Sequence, residues 1–348
     1  MTRLLLVRLS AMGDVVQSLG AVASLRAALP EVELTVVTQA AWAPLLDGVA
    51  DIARVVPFDR RGGWRALRAV RSELRAERYD AALDLQGNWK SALVTWLSGA
   101  ERRVGMAARW RQEPASRLLL TEVVDSDATP HPARAAWELA KRIAPAASFM
   151  SPQLVPTPQE LEAERAQLRR VGVDPERPFR VVVGTDPRDP RALRPALLRR
   201  LGREEAAVVV TGPAEAGLDY GDEVRRLHHG PGEVRRLVAL GAAVAAVAGE
   251  VVGPDQGASH VLLAAGARGR ILFGSQDPRR TAPPGATALR APGDLSCRPC
   301  RKQRCVLGGA EQFTCMDFEP DEGVLVELGL PRSGQIDSRG PSGDALAR

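Results

Sequence analysis

The stretch Arg3-Leu4-Leu5-Leu6-Val7-Arg8-Leu9-Ser10-Ala11-Met12-Gly13-Asp14-Val15-Val16 decides the fold of this chain. It begins with an apolar run of strand length, which the residues from Ser10 to Asp14 interrupt. Apolar residues then recur at helical spacing up to Leu29, Pro30 ends the helix, and a second strand follows. This order predicts the opening of a parallel sheet, with a glycine and a carboxylate at the edge where such sheets bind ligands.

The same alternation continues through two halves of the chain, separated by a proline-rich linker from Pro145 to Pro158. Two alternating halves predict an α/β protein of two Rossmann-like, doubly wound domains facing a cleft, over residues 1–150 and 159–330. The Ser-, Gly-, Pro- and Arg-rich residues 331–348 predict a disordered tail. The predicted strands are 3–9, 33–38, 52–58, 79–85, 179–184, 206–211, 250–253 and 269–274, and the predicted helices are 15–29, 64–77, 89–98, 132–144, 159–171, 192–201, 220–228, 233–247 and 257–266.

Charge and hydropathy limit the classes of partner. The net charge is +5, but only three basic residues are lysines (Lys90, Lys141, Lys302), which indicates a compositional preference for arginine. No basic block alternates with aromatic residues, so we expect no nucleic-acid partner. No signal peptide is recognisable, and the longest nearly uncharged stretch, 237–249, is shorter than the ~20 residues of a membrane span. We therefore expect a cytoplasmic protein, with peripheral contact at the inner face of the cytoplasmic membrane left open.

Asp14 allows two interpretations. As a helix-capping residue it would accept backbone N–H groups and interact favourably with the helix dipole. As a general base at the mouth of the cleft it would take the proton of an acceptor hydroxyl. Gly13 favours the second interpretation mildly, because it lets a backbone or a substrate approach closely.

A second candidate turn lies at Gly253-Pro254-Asp255-Gln256-Gly257-Ala258-Ser259-His260, between a short strand and a helix. Free N–H groups at the start of that helix suit a diphosphate, and Asp255 suits a sugar hydroxyl. For His260 we favour ordinary packing along the helix.

Basic residues follow two strands of the first half. Lys90 lies in the first turn of a helix after Asp84-Leu85-Gln86-Gly87, where it opposes the helix dipole and indicates an anionic partner. Arg60 and Arg61 follow another strand end. Neither a GxGxxG nor a GxxxxGK[ST] motif is present, so nicotinamide-type binding and P-loop hydrolysis have no support.

All four cysteines fall within nineteen residues, as Cys297-x2-Cys300-x4-Cys305-x9-Cys315. In a cytoplasmic chain this clustering favours a metal over disulfides, and four thiolates suit tetrahedral Zn or a single Fe with a structural role.

These motifs, in this order from Arg3 to about Leu330, resemble glycosyltransferase family 9, the ADP-heptose:lipopolysaccharide heptosyltransferases. The resemblance implies a GT-B architecture, with acceptor bound in the first domain and nucleotide-sugar in the second. It implies inverting transfer of a heptose from ADP-heptose to a lipopolysaccharide inner-core sugar or related lipid-linked envelope glycan, with no cofactor required. Asp14 matches the base, and Gly13, Arg60, Arg61, Gln86 and Lys90 match the acceptor side. On the donor side the matching residues are Thr185, Glu215, Asp255, Gln256 and Gly257, and Arg191 or Arg194 would replace the charge of a family lysine.

The donor half departs from the family pattern. The family has a Lys–Arg–Trp–Pro stretch after the strand ending at Gly184, whereas this chain has Arg191-Ala192-Leu193-Arg194-Pro195. Gln256 stands where threonine is usual. Two alternatives therefore stay open: a different nucleotide-sugar donor, or a non-catalytic assembly protein in which the Cys segment mediates subunit contacts. An epimerase would need a second acid/base partner for Asp14, and none is evident.

Overall fold

Two parallel six-stranded sheets form the framework of the molecule. The computed structural model describes residues 2–126, 131–291, 295–300, 302, 304–309, 312–318 and 322–328. Every strand pair in both sheets is parallel, as the alternation of strands and helices predicts. The predicted α/β class is confirmed, while the predicted tail 331–348 lies outside the described residues.

The first sheet has the strand order β3-β2-β1-β4-β5-β6, so β1 lies near its centre. Its turn into α1 therefore opens beside the ends of β2 and β4. The elements are β1 (Arg3–Val7), α1 (Met12–Ala28), β2 (Glu33–Gln39), β3 (Arg54–Phe58), α2 (Gly63–Arg75), β4 (Ala81–Asp84), α3 (Trp89–Leu97), β5 (Arg102–Met106), β6 (Glu122–Val124) and α4 (Pro132–Ile143).

The second sheet has the order β12-β11-β10-β7-β8-β9, so β10 lies between β11 and β7. The turns after these three strands consequently share one edge. The elements are α5 (Pro158–Arg170), β7 (Arg180–Val183), α6 (Pro195–Gly202), β8 (Ala207–Thr211), β9 (Arg226–His228), α7 (Val234–Ala246), β10 (Glu250–Pro254), α8 (Gly257–Ala264), β11 (Arg268–Phe273), α9 (Pro278–Thr281), β12 (Thr287–Arg290) and α10 (Glu322–Glu327).

Alternate residues of the central strands pack into different cores. Leu4 and Leu6 of β1 belong to one apolar cluster, whereas Leu5 and Val7 belong to another on the opposite face of the sheet. The first cluster is continuous with the second half of the chain, since it also includes residues of α7, α8 and β10. The two halves are therefore joined by apolar packing as well as by the linker.

One predicted element is wrong. The segment predicted as a helix near 220–228 ends in strand β9, which pairs with β8 through Val210 and Leu227. Leu227 is buried while Arg226 and His228 are exposed, which is the alternation of a strand with one covered face. Strands β5, β6 and β12 were not predicted, because they are short and carry Arg, Glu or Gly among their apolar residues.

Candidate active site between the two sheets

The two halves meet where α1 packs against α8, and two glycines permit the close approach. A Cβ atom on Gly13 would lie 2.9 Å from Cδ2 of His260, and one on Gly257 would lie 2.6 Å from Cε of Met12. Both glycines lie in the first turn of their helices. The turns that carry Asp14 and Asp255 are therefore brought together, as their positions at two sheet edges predict.

Asp14 is the third residue of α1, and only one of its carboxylate oxygens is engaged. Oδ2 accepts the backbone N–H of Ala11 at 3.3 Å and lies 2.5 Å from Nη2 of Arg8. Among the described residues Oδ1 has no hydrogen-bond partner, and the side chain is 36% exposed. Asp14 is therefore not the N-terminal cap residue, which is Ala11, but its Oδ2 does accept the N–H of that residue. Oδ1 is open to a second group.

The loop before α1 is fastened to the turn after β4. The side-chain oxygen of Gln86 accepts the N–H groups of Leu9 and Ser10 at 2.8 and 3.1 Å, and Arg8 donates to the carbonyl of Leu85. Gln86 therefore fixes the backbone that leads to Asp14. Its predicted contact with acceptor stays a prediction.

A buried ion pair supports that turn from below. Asp84 and Arg111 lie 2.5 Å apart with both side chains fully buried, and the other oxygen of Asp84 accepts the N–H groups of Gln86 and Gly87 at 3.1 Å. Gly87 has a φ of +84°, which favours glycine. The sequence analysis missed Arg111, because its partner lies 27 residues away and no local pattern links them.

Asp255 is held in a hydrogen-bonded network that crosses between the halves. Its Oδ1 accepts from Nε2 of His260 at 3.0 Å, and its Oδ2 accepts from the hydroxyl of Thr281 at 2.7 Å. The amide of Gln17 on α1 donates to Nδ1 of His260 and to the carbonyl of Thr281, both at 3.1 Å. Because Nδ1 of His260 accepts from Gln17, the ring proton that faces Asp255 is assigned to Nε2.

We call these four residues, Gln17, His260, Asp255 and Thr281, the cleft network. Gln17, His260 and Asp255 are all less than a tenth exposed. His260 is buried, as the sequence analysis favoured, but it is bonded to Asp255 and to the first half rather than only packed along its helix. Gln17 and Thr281 were missed. A buried glutamine inside an apolar helix was the available signal for Gln17.

Polar groups follow three neighbouring strands of the second sheet. Thr185 follows β7, Asp255 follows β10 and Ser275 follows β11. The hydroxyls of Thr185 and Ser275 are buried and have no hydrogen-bond partner among the described residues. Unpaired buried hydroxyls are costly, so this edge has unused capacity to bind a polar ligand. Ser275 was not predicted.

The two predicted donor cations contact other side chains of the second half. Arg191 binds the carboxylate of Asp189 through two nitrogens, at 3.0 and 2.8 Å, and this contact raises the Arg191 pKa. Its remaining nitrogen lies 3.5 Å from the carbonyl of Asp255, so Arg191 does lie beside the donor turn. Arg194 lies over the ring of Phe313, 5.2 Å from the centroid.

The remaining predicted donor residues lie at the same edge. Gln256 precedes α8 as its N-terminal cap residue, with its own N–H bonded to Pro254. Glu215 follows β8, and its carboxylate accepts the N–H of Gly212 at 3.1 Å. Burial, with the nearby Glu215 charge as a smaller cause, raises the pKa of Tyr220 to about 12.

The predicted acceptor cations are exposed, and they lie in the turns that follow two different strands. Lys90 is the second residue of α3, next to the end of β4, which pairs directly with β1. Arg60 and Arg61 follow β3, which β2 separates from β1. The structure thus brings Lys90 nearer to the Asp14 turn in strand order than the arginine pair.

The structure does not support the predicted four-thiolate metal centre. In the part of the chain that the structure describes, which includes Cys297, Cys300, Cys305 and Cys315, no three His, Cys, Asp or Glu side chains are placed to hold a metal ion. Cys315 is buried on a turn packed against β11, while the other three lie half-buried in irregular chain. Burial, followed by the three other thiols, raises the pKa of Cys315 to about 11. The spacing of the four cysteines in the sequence predicted that their thiols share one metal ion, but it did not determine the direction in which each side chain points.

Comparisons with known proteins agree with this architecture. The family model described as glycosyltransferase family 9 (heptosyltransferase) matches residues 67–311. Lipopolysaccharide heptosyltransferase 1 of Pseudomonas aeruginosa is 25% identical over 324 residues, covering 89% of each chain. The chain resembles the structure of E. coli heptosyltransferase WaaC with ADP-2-deoxy-2-fluoro heptose, with a TM-score of 0.63, 23% identity, and coverage of 84% of this chain and 94% of that one.

A second solved structure shares the fold at lower identity. It is the iron-containing dodecameric glycosyltransferase TibC from enterotoxigenic E. coli, with a TM-score of 0.54, 12% identity, and coverage of 94% of this chain and 76% of that one. At this identity the likeness concerns the fold alone.

Among the described helices, none is both long and apolar enough to cross a bilayer.

Proposed function

The chain belongs to glycosyltransferase family 9, and we propose that it transfers a heptose from ADP-heptose to a lipopolysaccharide inner-core hydroxyl or a related lipid-linked glycan. The Pseudomonas aeruginosa relative, matched over 89% of its length, is named lipopolysaccharide heptosyltransferase 1, and the E. coli neighbour was solved with ADP-2-deoxy-2-fluoro heptose. The observation that carries the proposal is Asp14, which has one oxygen fixed and one open beside the donor turn.

Asp14 would act as the general base. The acceptor hydroxyl gives its proton to Oδ1, and its oxygen attacks the anomeric carbon of the sugar. The bond between that carbon and the diphosphate oxygen breaks, and the electron pair leaves with ADP. Attack opposite to the leaving group inverts the anomeric configuration. Arg8 holds Oδ2, so the carboxylate is oriented before the acceptor arrives.

The leaving diphosphate would be bound without a cofactor. The first N–H groups of α8, beginning at Gly257 and following Gln256, have no partner within the helix and suit an anion. The hydroxyls of Thr185 and Ser275 supply two further donors at the same edge. Asp255, oriented by the cleft network, would contact the sugar, and Glu215 the nucleoside. Donor binding would thus belong to residues 159–330 and acceptor binding to residues 1–150.

On the acceptor side we propose that Lys90, Arg60 and Arg61 hold phosphate or carboxylate groups of the glycan, with Gly13 and Gln86 shaping the turn that receives the hydroxyl. All three cations are exposed, and no carboxylate of the described residues forms an ion pair with them. A cytoplasmic location fits such a substrate.

The test replaces Asp14 by Asn, which preserves shape and removes the base. We expect loss of turnover, with the calorimetric Kd for ADP-heptose unchanged. Asp51→Asn is the matched control, because Asp51 is also 36% exposed and paired with an arginine but lies at the other end of the sheet. Equal loss in both variants, or loss of donor binding in Asp14→Asn, contradicts the base assignment. The anomer of the product, measured by NMR, tests inversion.

A different nucleotide-sugar is the second candidate donor. The two-nitrogen contact of Arg191 with Asp189 favours it, since this carboxylate already occupies one of the two predicted donor cations. Calorimetry with ADP-heptose and a panel of ADP-, UDP- and GDP-sugars decides between the donors. Preference for a UDP- or GDP-sugar would retain the transferase reaction and replace the substrate. Absence of binding to every donor would favour the assembly-protein alternative.

A further inference from the structure

Large apolar side chains are exposed along one side of the first half. Trp89 and Trp96 of α3 are 44% and 48% exposed, and with the half-buried Leu93 they recur at the i, i+4, i+7 spacing of one helix face. Trp64 at the start of α2 is 62% exposed, and Leu118, on the 3-10 turn Pro114–Leu119, is 71% exposed. These elements are adjacent, because α3 packs against both α2 and the turn.

The same elements carry arginines without carboxylate partners. Arg65, Arg68 and Arg71 on α2 and Arg117 on the turn are exposed, and no acidic side chain of the described residues pairs with them. In contrast, Arg54 beside them pairs with Glu73 and Glu77. We call this region the Trp–Arg surface; it comprises Trp64, Arg65, Arg68, Arg71, Trp89, Trp96, Arg117 and Leu118.

Two of these arginines are organised around an indole ring. The guanidinium carbons of Arg65 and Arg68 lie 5.8 and 5.5 Å from the centroid of Trp64. This pairing keeps a flat aromatic ring and two positive charges together at the surface, without neutralising the charges.

We propose that the Trp–Arg surface docks this chain on a bilayer that contains anionic lipids. Tryptophan is enriched at the membrane interface because its ring is apolar while its N–H stays hydrated. Unpaired arginines complement anionic headgroups, and each contributes about 1 kcal/mol when it lies near the membrane surface. Since neither donor nor acceptor is needed for vesicle binding, the inference goes beyond the proposed transfer.

The position of the surface agrees with this occupant. Trp64 and Trp89 lie in the first turns of α2 and α3, which follow β3 and β4 at the carboxyl edge of the first sheet. Trp96 lies seven residues further along α3, or about 10 Å at the helical rise. The surface therefore borders the edge that carries Asp14, so a lipid-anchored acceptor in the same bilayer would be within reach of the cleft.

Sedimentation of the full chain with vesicles tests the charge term. We expect binding to phosphatidylcholine vesicles that also contain phosphatidylglycerol, weak binding to phosphatidylcholine alone, and a decrease with added salt. Arg65→Gln with Arg68→Gln is expected to weaken binding about 25-fold, the product of about fivefold for each lost charge. The matched control is Arg170→Gln with Arg268→Gln, two exposed arginines of the second half that also form no ion pair with a described residue. Equal weakening in both pairs overturns the proposal.

Lipids brominated on their acyl chains test insertion. They should quench the tryptophan fluorescence of the wild-type chain, and Trp89→Phe with Trp96→Phe should lower the quenching while vesicle binding remains. Trp89→Ser with Trp96→Ser should lose binding, whereas the exposed Val155→Ser should not. Circular dichroism checks folding. Unchanged quenching in the Phe pair overturns the proposal. The proposal is also overturned if the wild-type chain is a dimer that the Ser pair dissociates while vesicle binding stays intact. Calorimetric donor binding is measured separately, so failure of docking and failure of the proposed transfer are distinguishable.

Discussion

The substitution Gln17→Leu would cut the cleft network on the side of the first half. Gln17 is 2% exposed, and its amide donates to the carbonyl of Thr281 and to Nδ1 of His260. Leucine leaves both acceptors buried without a donor, at about 1–3 kcal/mol for each group. Part of this cost is offset, because Oε1 of Gln17 is itself buried without a partner among the described residues. We expect a net loss of about 2 kcal/mol in the free energy of unfolding.

A double-mutant cycle with His260→Leu measures whether the network acts as a unit. Urea unfolding of the wild type, both single variants and the double variant should give a coupling energy of about 0.5–1.5 kcal/mol between Gln17 and His260. Additivity within about 0.5 kcal/mol would refute a shared network. Each variant must unfold in one transition for the comparison to hold.

Donor affinity tests the functional side of the same reasoning. Asp255 loses orientation when its network is cut, so Gln17→Leu should weaken ADP-heptose binding about fivefold, equivalent to ~1 kcal/mol or one net hydrogen bond. Ser24→Ala is the control, because Ser24 is fully buried on the same helix and bonds only to Gly20 within it. It should lower stability and leave the donor Kd unchanged. Equal weakening by Ser24→Ala would attribute the effect to general damage of α1.

Three further outcomes are expected. Burial lowers the His131 pKa below 6.5, so the folded state binds fewer protons than the unfolded chain. The contribution of His131 to stability is therefore complete above pH 6.5 and is lost as the pH falls through the folded pKa. His131→Asn should flatten the decline in Tm between about pH 7 and 5, and parallel curves for wild type and variant would contradict this. Gly13→Ala should cost about 1–3 kcal/mol because the new methyl group meets the His260 ring, whereas Gly217→Ala, with open space around it, should stay within about 0.5 kcal/mol; equal unfolding curves would refute the contact. Cys315, whose pKa rises from 9.0 to about 11, should have about a hundredfold less thiolate than an ordinary cysteine, so mass spectrometry should show that it reacts slowest with iodoacetamide. If all four cysteines are instead equally protected and a chelator removes that protection, the four-thiolate metal centre would be the correct interpretation.

The local pattern of the chain determined most of its architecture. Buried parallel strands are nearly continuous apolar runs, and amphipathic helices alternate with them, so two Rossmann-like halves could be read directly. The segment 220–228 shows where this failed. A three-residue strand such as β9 has too few residues to display its alternation and is specified by pairing with β8.

The sequence by itself also predicted that Asp14 and Asp255 lie at sheet edges, because each lies where a strand gives way to a helix. Only the tertiary structure decided which of their atoms are free. The closure of α1 on α8 through Gly13 and Gly257 brings Gln17 within hydrogen-bond distance of His260, 243 residues away in the chain. Tertiary packing also places no three of the clustered cysteines, within the described residues, so that they could hold one metal ion. Side-chain direction and partner choice depend on packing between distant segments, and spacing along the chain carries no information about that packing.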